Sequence, residues 1–301
     1  MTALPIYVVH LVLLPFLFVG LVRRGKARLQ GRQGPPLLQP VYDVVKQLRK
    51  SETVSETTTW VFRTAPLIQV ACTGSAALMT PWLGIDSPIS GDLFLAVYVL
   101  VLGKFAVSLC ALDSGSAFGG LGASREATVS VQAEPAVVLS FVALAAHAHS
   151  TRFSDMLAPG AHGVLTHTLV PTLVVALVLA ALAELARMPV DDPTTHLELT
   201  MIHETLLLES SGPSLALLEY AAALKTVVLM GLIAQVTLLA MPPWPPAIAW
   251  LLTLALMGVQ AVLLVVAETT LVKLGWRRIP NFLSFALAAA TLGCLLVALK
   301  G

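Results

Sequence analysis

Apolar residues along this 301-residue chain come in runs that are hydrophobic on every side, as in LVPTLVVALVLAALA at 169–183. A membrane-barrel strand alternates apolar and polar residues over about 10 positions, whereas a helix needs about 20 apolar residues to cross a core of about 30 Å. The runs therefore predict an all-α, polytopic membrane protein forming a single integral-membrane domain. Eight transmembrane helices are expected at roughly 4–22, 65–83, 93–112, 131–150, 164–186, 219–240, 247–270 and 281–300. The first run is followed, not preceded, by Arg23, Arg24, Lys26 and Arg28, so it reads as a retained helix and not as a cleaved signal.

Composition agrees, with 57% hydrophobic and 12% charged residues, and the placement of charge then sets the orientation. The loop after the first helix carries Arg23, Arg24, Lys26, Arg28, Arg32, Lys46, Arg49, Lys50 and Arg63. Arg125, Arg187, Lys273, Arg277 and Arg278 follow helices three, five and seven, while the opposite loops hold Arg152. The positive-inside rule places the first set in the cytoplasm and both termini outside. Three scattered cysteines, Cys72, Cys110 and Cys294, lack CxxC spacing and indicate neither a disulfide frame nor a metal cluster.

The cytoplasmic segments carry most of the pattern that the spans do not explain. In the first loop, 23–64, turn-forming Gly and Pro residues precede an amphipathic helix over 41–50, with apolar positions at 41, 44, 45 and 48. That helix reads either as an interfacial helix or as a docking segment for a partner. The second loop, DSGSAFGGLGASREATVS, lacks the GxxxxGK[ST] signature, so its glycines are expected to admit close backbone approach and not phosphate.

The stretch Glu184–Tyr220 is the most charged part of the chain outside the first loop. Asp192-Pro193 reads as a helix N-cap with proline at N1, starting a helix that ends near Ser211-Gly212-Pro213 within an acidic cytoplasmic segment, 187–218. His196, Glu198, His203 and Glu204 are metal-ligand types, but neither HExxH nor a PCxxC partner is present. A cavity wall or an electrostatic contact with a basic partner fits the cluster better. Ionisable residues inside spans each cost about 2.5–3.5 kcal/mol at a helix centre and mark functional sites. They are Lys104, Glu134, Glu184, Glu219, Lys225 and Glu268, joined by His147 and His149, whose spacing of two places them on different helix faces and argues against a haem site.

The run ELARMPVDDPTTHLELTMIHETLLLESSGPSLALLEYAAALK, with its pattern A-E-x-x-R-x-P-x-D-x-P followed by S-G and L-x-E-Y, resembles a known family. This is the membrane subunit shared by respiratory complex I, as its H subunit, and the energy-converting group 4 [NiFe] hydrogenases, including formate hydrogenlyase. LQGRQGPPLLQPVYDVVKQLRK and GGLGASREATVSVQAEP are similar to the family's first loop and third-to-fourth-helix segment. Gly34-Pro35-Pro36-Leu37 and Pro193-Thr194-Thr195-His196 depart from the complex I wording, and DDPTTHLELTMIHE is similar to the hydrogenase branch; the departures weigh against a quinone headgroup site.

The resemblance implies a non-catalytic subunit of a multi-pass prokaryotic inner-membrane complex, linking a peripheral redox arm to proton or sodium movement. Its partners would be hydrogenase large and small subunits, Fe–S subunits and antiporter-like membrane subunits in the lipid bilayer, with no nucleic acid. [NiFe] and Fe–S clusters would belong to those partners and no cofactor to this chain. Carried over, Glu134, Glu184, Glu219, Glu268, Lys104 and Lys225 form a proton path. Arg187, Asp191, Asp192, His196, Glu198, His203, Glu204 and Glu209, with Arg32, Gln39 and Asp43 of the first loop, form the junction with the arm. A complex I-type quinone subunit and a stand-alone transporter are the rival readings.

Overall fold

A computed structural model describes residues 3–158, 166–192 and 200–299. The described chain is helical: α1 (Ala3–Leu29), α2 (Gln39–Leu48), α3 (Trp60–Met79), α4 (Leu93–Asp113), α5 (Ala117–Ala148), α6 (Phe153–Met156), α7 (Thr166–Glu184), α8 (Glu204–Leu207), α9 (Gly212–Leu238), α10 (Pro246–Thr270) and α11 (Ile279–Ala298). Seven of these, α1, α4, α5, α7, α9, α10 and α11, are long and apolar enough to cross a membrane. The region expected as the second of eight spans is α3, which carries Arg63, Gln69, Thr73 and Ser75 and falls short on apolarity. It tolerates those polar groups because it packs along α4 and α9, and Thr73 returns its hydroxyl to the Gln69 carbonyl at 2.8 Å.

Helix ends follow local chemistry. Asp92 caps α4 by accepting from the Phe94 N–H at 2.9 Å, and Thr59 caps α3. Asp113, at the end of α4, accepts from the N–H groups of Thr59 and Phe62 and from the Thr59 hydroxyl, tying the two helices together. Prolines stand in the first turns of α2, α9, α10 and α11, where no intrahelical N–H is lost.

α9 is the hub, packed against α1, α2, α3, α7 and α10, while α11 returns between α5 and α7. The α5/α7/α11 seam is built on Ala136, Ala176, Ala180, Ala286 and Ala290, small residues that let helices approach without a hydrophobic drive from water. At the end of the bundle away from the basic loops, Tyr7, Trp82, Leu83, Leu93, Phe153 and Met156 are buried in one apolar plug. Trp82 donates to the Ala77 carbonyl at 2.9 Å, and its backbone lies against Gly231, where a Cβ would meet the Trp82 carbonyl oxygen at 2.4 Å.

Two segments differ from the sequence expectation. The glycine-rich stretch 117–130 is the first half of the 32-residue α5 and not a loop. Its glycines serve the expected purpose, since a Cβ at Gly119 would meet the Ala111 carbonyl at 2.3 Å and one at Gly122 would meet Thr205 at 3.0 Å. The helix expected from Asp192 to Ser211 falls partly on 193–199, outside the described residues. Its described part holds only the single turn α8, because the Asp191 carboxylate takes the N–H groups of Ile202 and His203, and Lys273 takes the Thr200 carbonyl. Those backbone groups are thereby satisfied without an α-helical ladder.

Candidate functional site

Lys104 of α4 points into the bundle and gathers groups from two other helices, α5 and α7. Its ammonium donates to Ser130 Oγ and Glu134 Oε1, both at 2.9 Å, and to both oxygens of Glu184, at 2.9 and 2.7 Å, with Glu126 Oε1 at 3.9 Å. Glu126, Ser130 and Glu134 stand four apart on α5 and so share one face. On the other side, Lys225 of α9 donates to Glu184 Oε2 at 2.7 Å and to the Glu184 backbone carbonyl at 3.2 Å. A buried carboxylate bracketed by two ammonium groups is one solution to placing charge in a low-dielectric interior.

The chain turns sharply just after Glu184, and that turn makes a second ionic group. α7 ends in a Schellman arrangement, with Arg187 N–H on the Leu182 carbonyl at 2.8 Å, Ala186 N–H on Ala183 at 3.1 Å, and Ala186 at φ +49°. The reversal sends Arg187 away from Glu184 to Glu268 Oε1 of α10 at 3.0 Å. Lys26 of α1 approaches the other Glu268 oxygen at 3.5 Å and Asp192 at 3.9 Å. Beyond it, Lys273 pairs with Asp191 at 2.6 Å.

A cavity of about 250 Å³ joins these groups. Lys104, Glu126, Glu184, Lys225, Arg187 and Glu268 all line it, and its mouth is framed by Arg23 and Lys26 of α1, Asp43 of α2, His203, Glu204 and Glu219. α2 forms one wall and is tied to α9 by Gln47 donating to Glu219 at 3.1 Å and to α1 by Arg23 donating to Asp43 at 3.1 Å, while Gln39 within α2 donates to the same Asp43 at 2.9 Å. α2 lies against α1 and α9.

Of the path residues expected from sequence, all six, Lys104, Glu134, Glu184, Glu219, Lys225 and Glu268, fall in or beside this system. Asp191, Arg187, His203, Glu204 and Asp43 line the cavity, Gln39 braces Asp43, and Asp192 pairs with Lys26. Arg32 and Glu209 are exposed and do not line the cavity. His196 and Glu198 lie outside the described residues. Sequence reasoning missed Glu126, Ser130, Lys26 and Lys273 as site residues; the four-residue spacing of Glu126, Ser130 and Glu134 was the available signal for the first two. Among the described residues, no group of three or more His, Cys, Asp or Glu side chains is placed to hold a metal ion.

A smaller apolar recess reaches the same centre from the side. Val97, Val101, Val137, Val138, Leu229 and Leu232 line it, and Lys104, Glu134, Glu184 and Lys225 close its inner end. The Glu134 side chain is 30% exposed, against 8% for Glu184, so of these two carboxylates Glu134 is the one nearer the surface.

Comparison with known proteins agrees with the sequence resemblance. The family model described as NADH dehydrogenase matches residues 2–299. Hydrogenase-4 component C of Escherichia coli K12 is 33% identical over 293 residues, covering 93% of this chain and 91% of its own. Formate hydrogenlyase subunit 4 of the same organism is 31% identical over 233 residues, covering 76% and 73%. A chain in the structure of the membrane-bound sulfane sulfur reductase, an archaeal respiratory membrane complex, shares the fold at a TM-score of 0.83 with 19% identity, covering 98% of each chain. A match along nearly the whole sequence, together with a relative 33% identical over 93% of this chain and 91% of its own, means that this chain belongs to the NADH dehydrogenase family of membrane subunits.

Proposed function

We propose that this chain is the membrane-anchoring, ion-coupling subunit of an energy-converting hydrogenase of the formate hydrogenlyase type. It would carry a peripheral arm of large, small and Fe–S subunits on its basic face and adjoin antiporter-like subunits in the prokaryotic inner membrane. In this arrangement α3 crosses the bilayer as an eighth span and both termini face outward, in keeping with the basic residues of the first loop. The observation that carries the reading is that one cavity is lined by Glu219, Glu268, Glu184, Lys225 and Lys104, and that Lys104 carries the ionic cluster on to Glu134 at 2.9 Å.

The chemistry favours a proton as the coupling ion. Glu126, Glu134 and Glu184 set three carboxylates against the two ammonium groups of Lys104 and Lys225, a cluster built of groups that exchange protons and not of neutral cation ligands. A sodium ion would have to displace a lysine from Glu184, whose Oε2 lies 2.7 Å from both ammonium nitrogens. The apolar plug around Trp82 closes the far end, which directs transfer sideways through Glu134 to a neighbouring subunit.

We assign no quinone step to the cavity. Its volume of about 250 Å³ is below the usual range of about 300–1,000 Å³ for small-molecule sites. Its inner ammonium groups, Lys104 and Lys225, are already engaged with carboxylates. Glu184→Gln and Glu134→Gln in the native complex test the function: assembly should persist while proton movement per turnover falls. Unaltered pumping in both variants rejects the path, and NADH-reducible flavin with bound quinone in the purified assembly rejects the hydrogenase reading.

A further inference from the structure

A second recess lies at the opposite end of the bundle, between the start of α4 and the end of α5. It encloses about 770 Å³ and opens to the surface. Its floor is made by small residues, Gly91, Ala145 and Ala146, and Gly91 is required there because a Cβ would meet the Met79 carbonyl oxygen at 2.1 Å. Phe94 and Val142 supply an apolar wall, and Asp92, His149 and Arg152 stand at the polar rim.

The rim is held by its backbone. Asp92 and Arg152 form an isolated antiparallel bridge, Leu93 N–H donates to the Thr151 carbonyl at 2.9 Å, and Phe153 N–H donates to the Gly91 carbonyl at 3.2 Å. Asp92 accepts from the Thr151 hydroxyl and the Phe94 N–H. Arg152 is exposed, and among the described residues no carboxylate lies within 4.0 Å of its guanidinium. A fixed backbone thus presents an anion and a cation side by side on one rim.

Below the recess the surface is apolar. Phe94, Tyr98, Val101 and Phe105 follow one another on α4 at spacings of four, three and four, and all are exposed. They make a continuous rail about 16 Å long, at about 1.5 Å per residue. A groove with a charged rim at the end of a membrane-spanning helix and an apolar rail beneath it has the polarity of a diacyl phospholipid.

We propose that this recess binds a zwitterionic phospholipid of the phosphatidylethanolamine class. Arg152 takes the phosphodiester through paired N–H donors, Asp92 faces the ammonium, and an acyl chain follows the rail from Phe94 to Phe105. An arginine merely snorkelling at the interface would not need a recess walled by two helices with an aspartate on the same rim. The headgroup recess shares no lining residue with the ionic cavity, and the rail meets the lateral recess beside Glu134 only at Val101.

The test is native mass spectrometry of the whole complex in mild detergent, titrated with phosphatidylethanolamine or phosphatidylglycerol. Arg152→Ala and Ala146→Trp, the latter filling the floor from an exposed position, should each weaken binding of added phosphatidylethanolamine about tenfold, the scale of a lost charge-assisted pair. Arg152→Lys should retain most of it, and Asp92→Asn should shift preference toward phosphatidylglycerol. Equal lipid binding in wild type, Arg152→Ala and Ala146→Trp overturns the proposal. So does a photocrosslinker at Ala146 that captures a neighbouring subunit instead of lipid. If Arg152→Ala does not assemble, Ala146→Trp, which removes no hydrogen bond, decides the question.

Discussion

Lys225 holds Glu184 at two points, its carboxylate at 2.7 Å and its backbone carbonyl at 3.2 Å. One ammonium therefore fixes both the charge and the end of α7, at the residue where the chain turns toward Arg187. Removing the carboxylate leaves Lys225 without its anion in the interior, and breaking a buried pair in this way costs about 3–5 kcal/mol. Glu184→Ala is expected to lower the thermal stability of the purified complex by that order, whereas Glu184→Gln, which keeps an acceptor, should cost less. A loss below about 1 kcal/mol for Glu184→Ala would contradict the pairing.

Ala186 adopts φ +49° at the C′ position of α7, a conformation that costs a non-glycine residue about 1–2 kcal/mol. Ala186→Gly should raise the midpoint of thermal unfolding, with the Arg187 to Glu268 pair intact. A lowered midpoint would show that the methyl group contributes contacts worth more than the strain.

Lys273 neutralises Asp191, whose side chain is 2% exposed and also receives the N–H groups of Ile202 and His203. Lys273→Met leaves that carboxylate buried without a cation, at a cost of about 3 kcal/mol. Amide exchange at Ile202 and His203 should accelerate in the variant, because the same carboxylate organises both.

Gly231 lies against the Trp82 backbone, so Gly231→Ala forces α9 and the 80–85 segment apart. The expected destabilisation is about 1–3 kcal/mol, as for other overpacked positions. Trp82 fluorescence should report the displacement.

Asp92 supplies a pH dependence. The Thr151 hydroxyl, aided by the Phe94 and Leu95 N–H groups and the charge of Arg152, holds its carboxyl below the usual carboxylate range, outweighing partial burial. An aspartate whose folded pKa is depressed stabilises fully above the unfolded value of about 3.9 and loses that contribution as pH falls through the lower folded value. Exchange at the Leu93 and Phe153 amides should therefore rise below about pH 4 in wild type. In Asp92→Asn that acid-dependent step should be absent.

Much of this arrangement was legible in the residues. Runs such as 169–183 determined the helical, membrane-spanning class, because a bilayer requires every backbone polar group to be bonded within its own segment. Charge inside those runs marked Lys104, Glu134, Glu184, Glu219, Lys225 and Glu268, since the cost of placing it there demands a partner or a purpose. Sequence could not name the partners. Lys104 and Glu184 are separated by 80 residues and Arg187 and Glu268 by 81, and no local rule links positions so far apart. Packing of α4, α5, α7 and α9 around a common centre decided that two lysines would bracket one glutamate. The left-handed turn at Ala186 decided that Arg187 would serve a different ion pair from its neighbour. Likewise the glycines of 119–122 read as a loop until their contacts with Ala111 and Thr205 showed a helix fitted closely against its neighbours. The sequence by itself determined which charges must be accommodated; only the tertiary structure decided how, because compensation of a buried charge depends on distances between helices and not on positions along one.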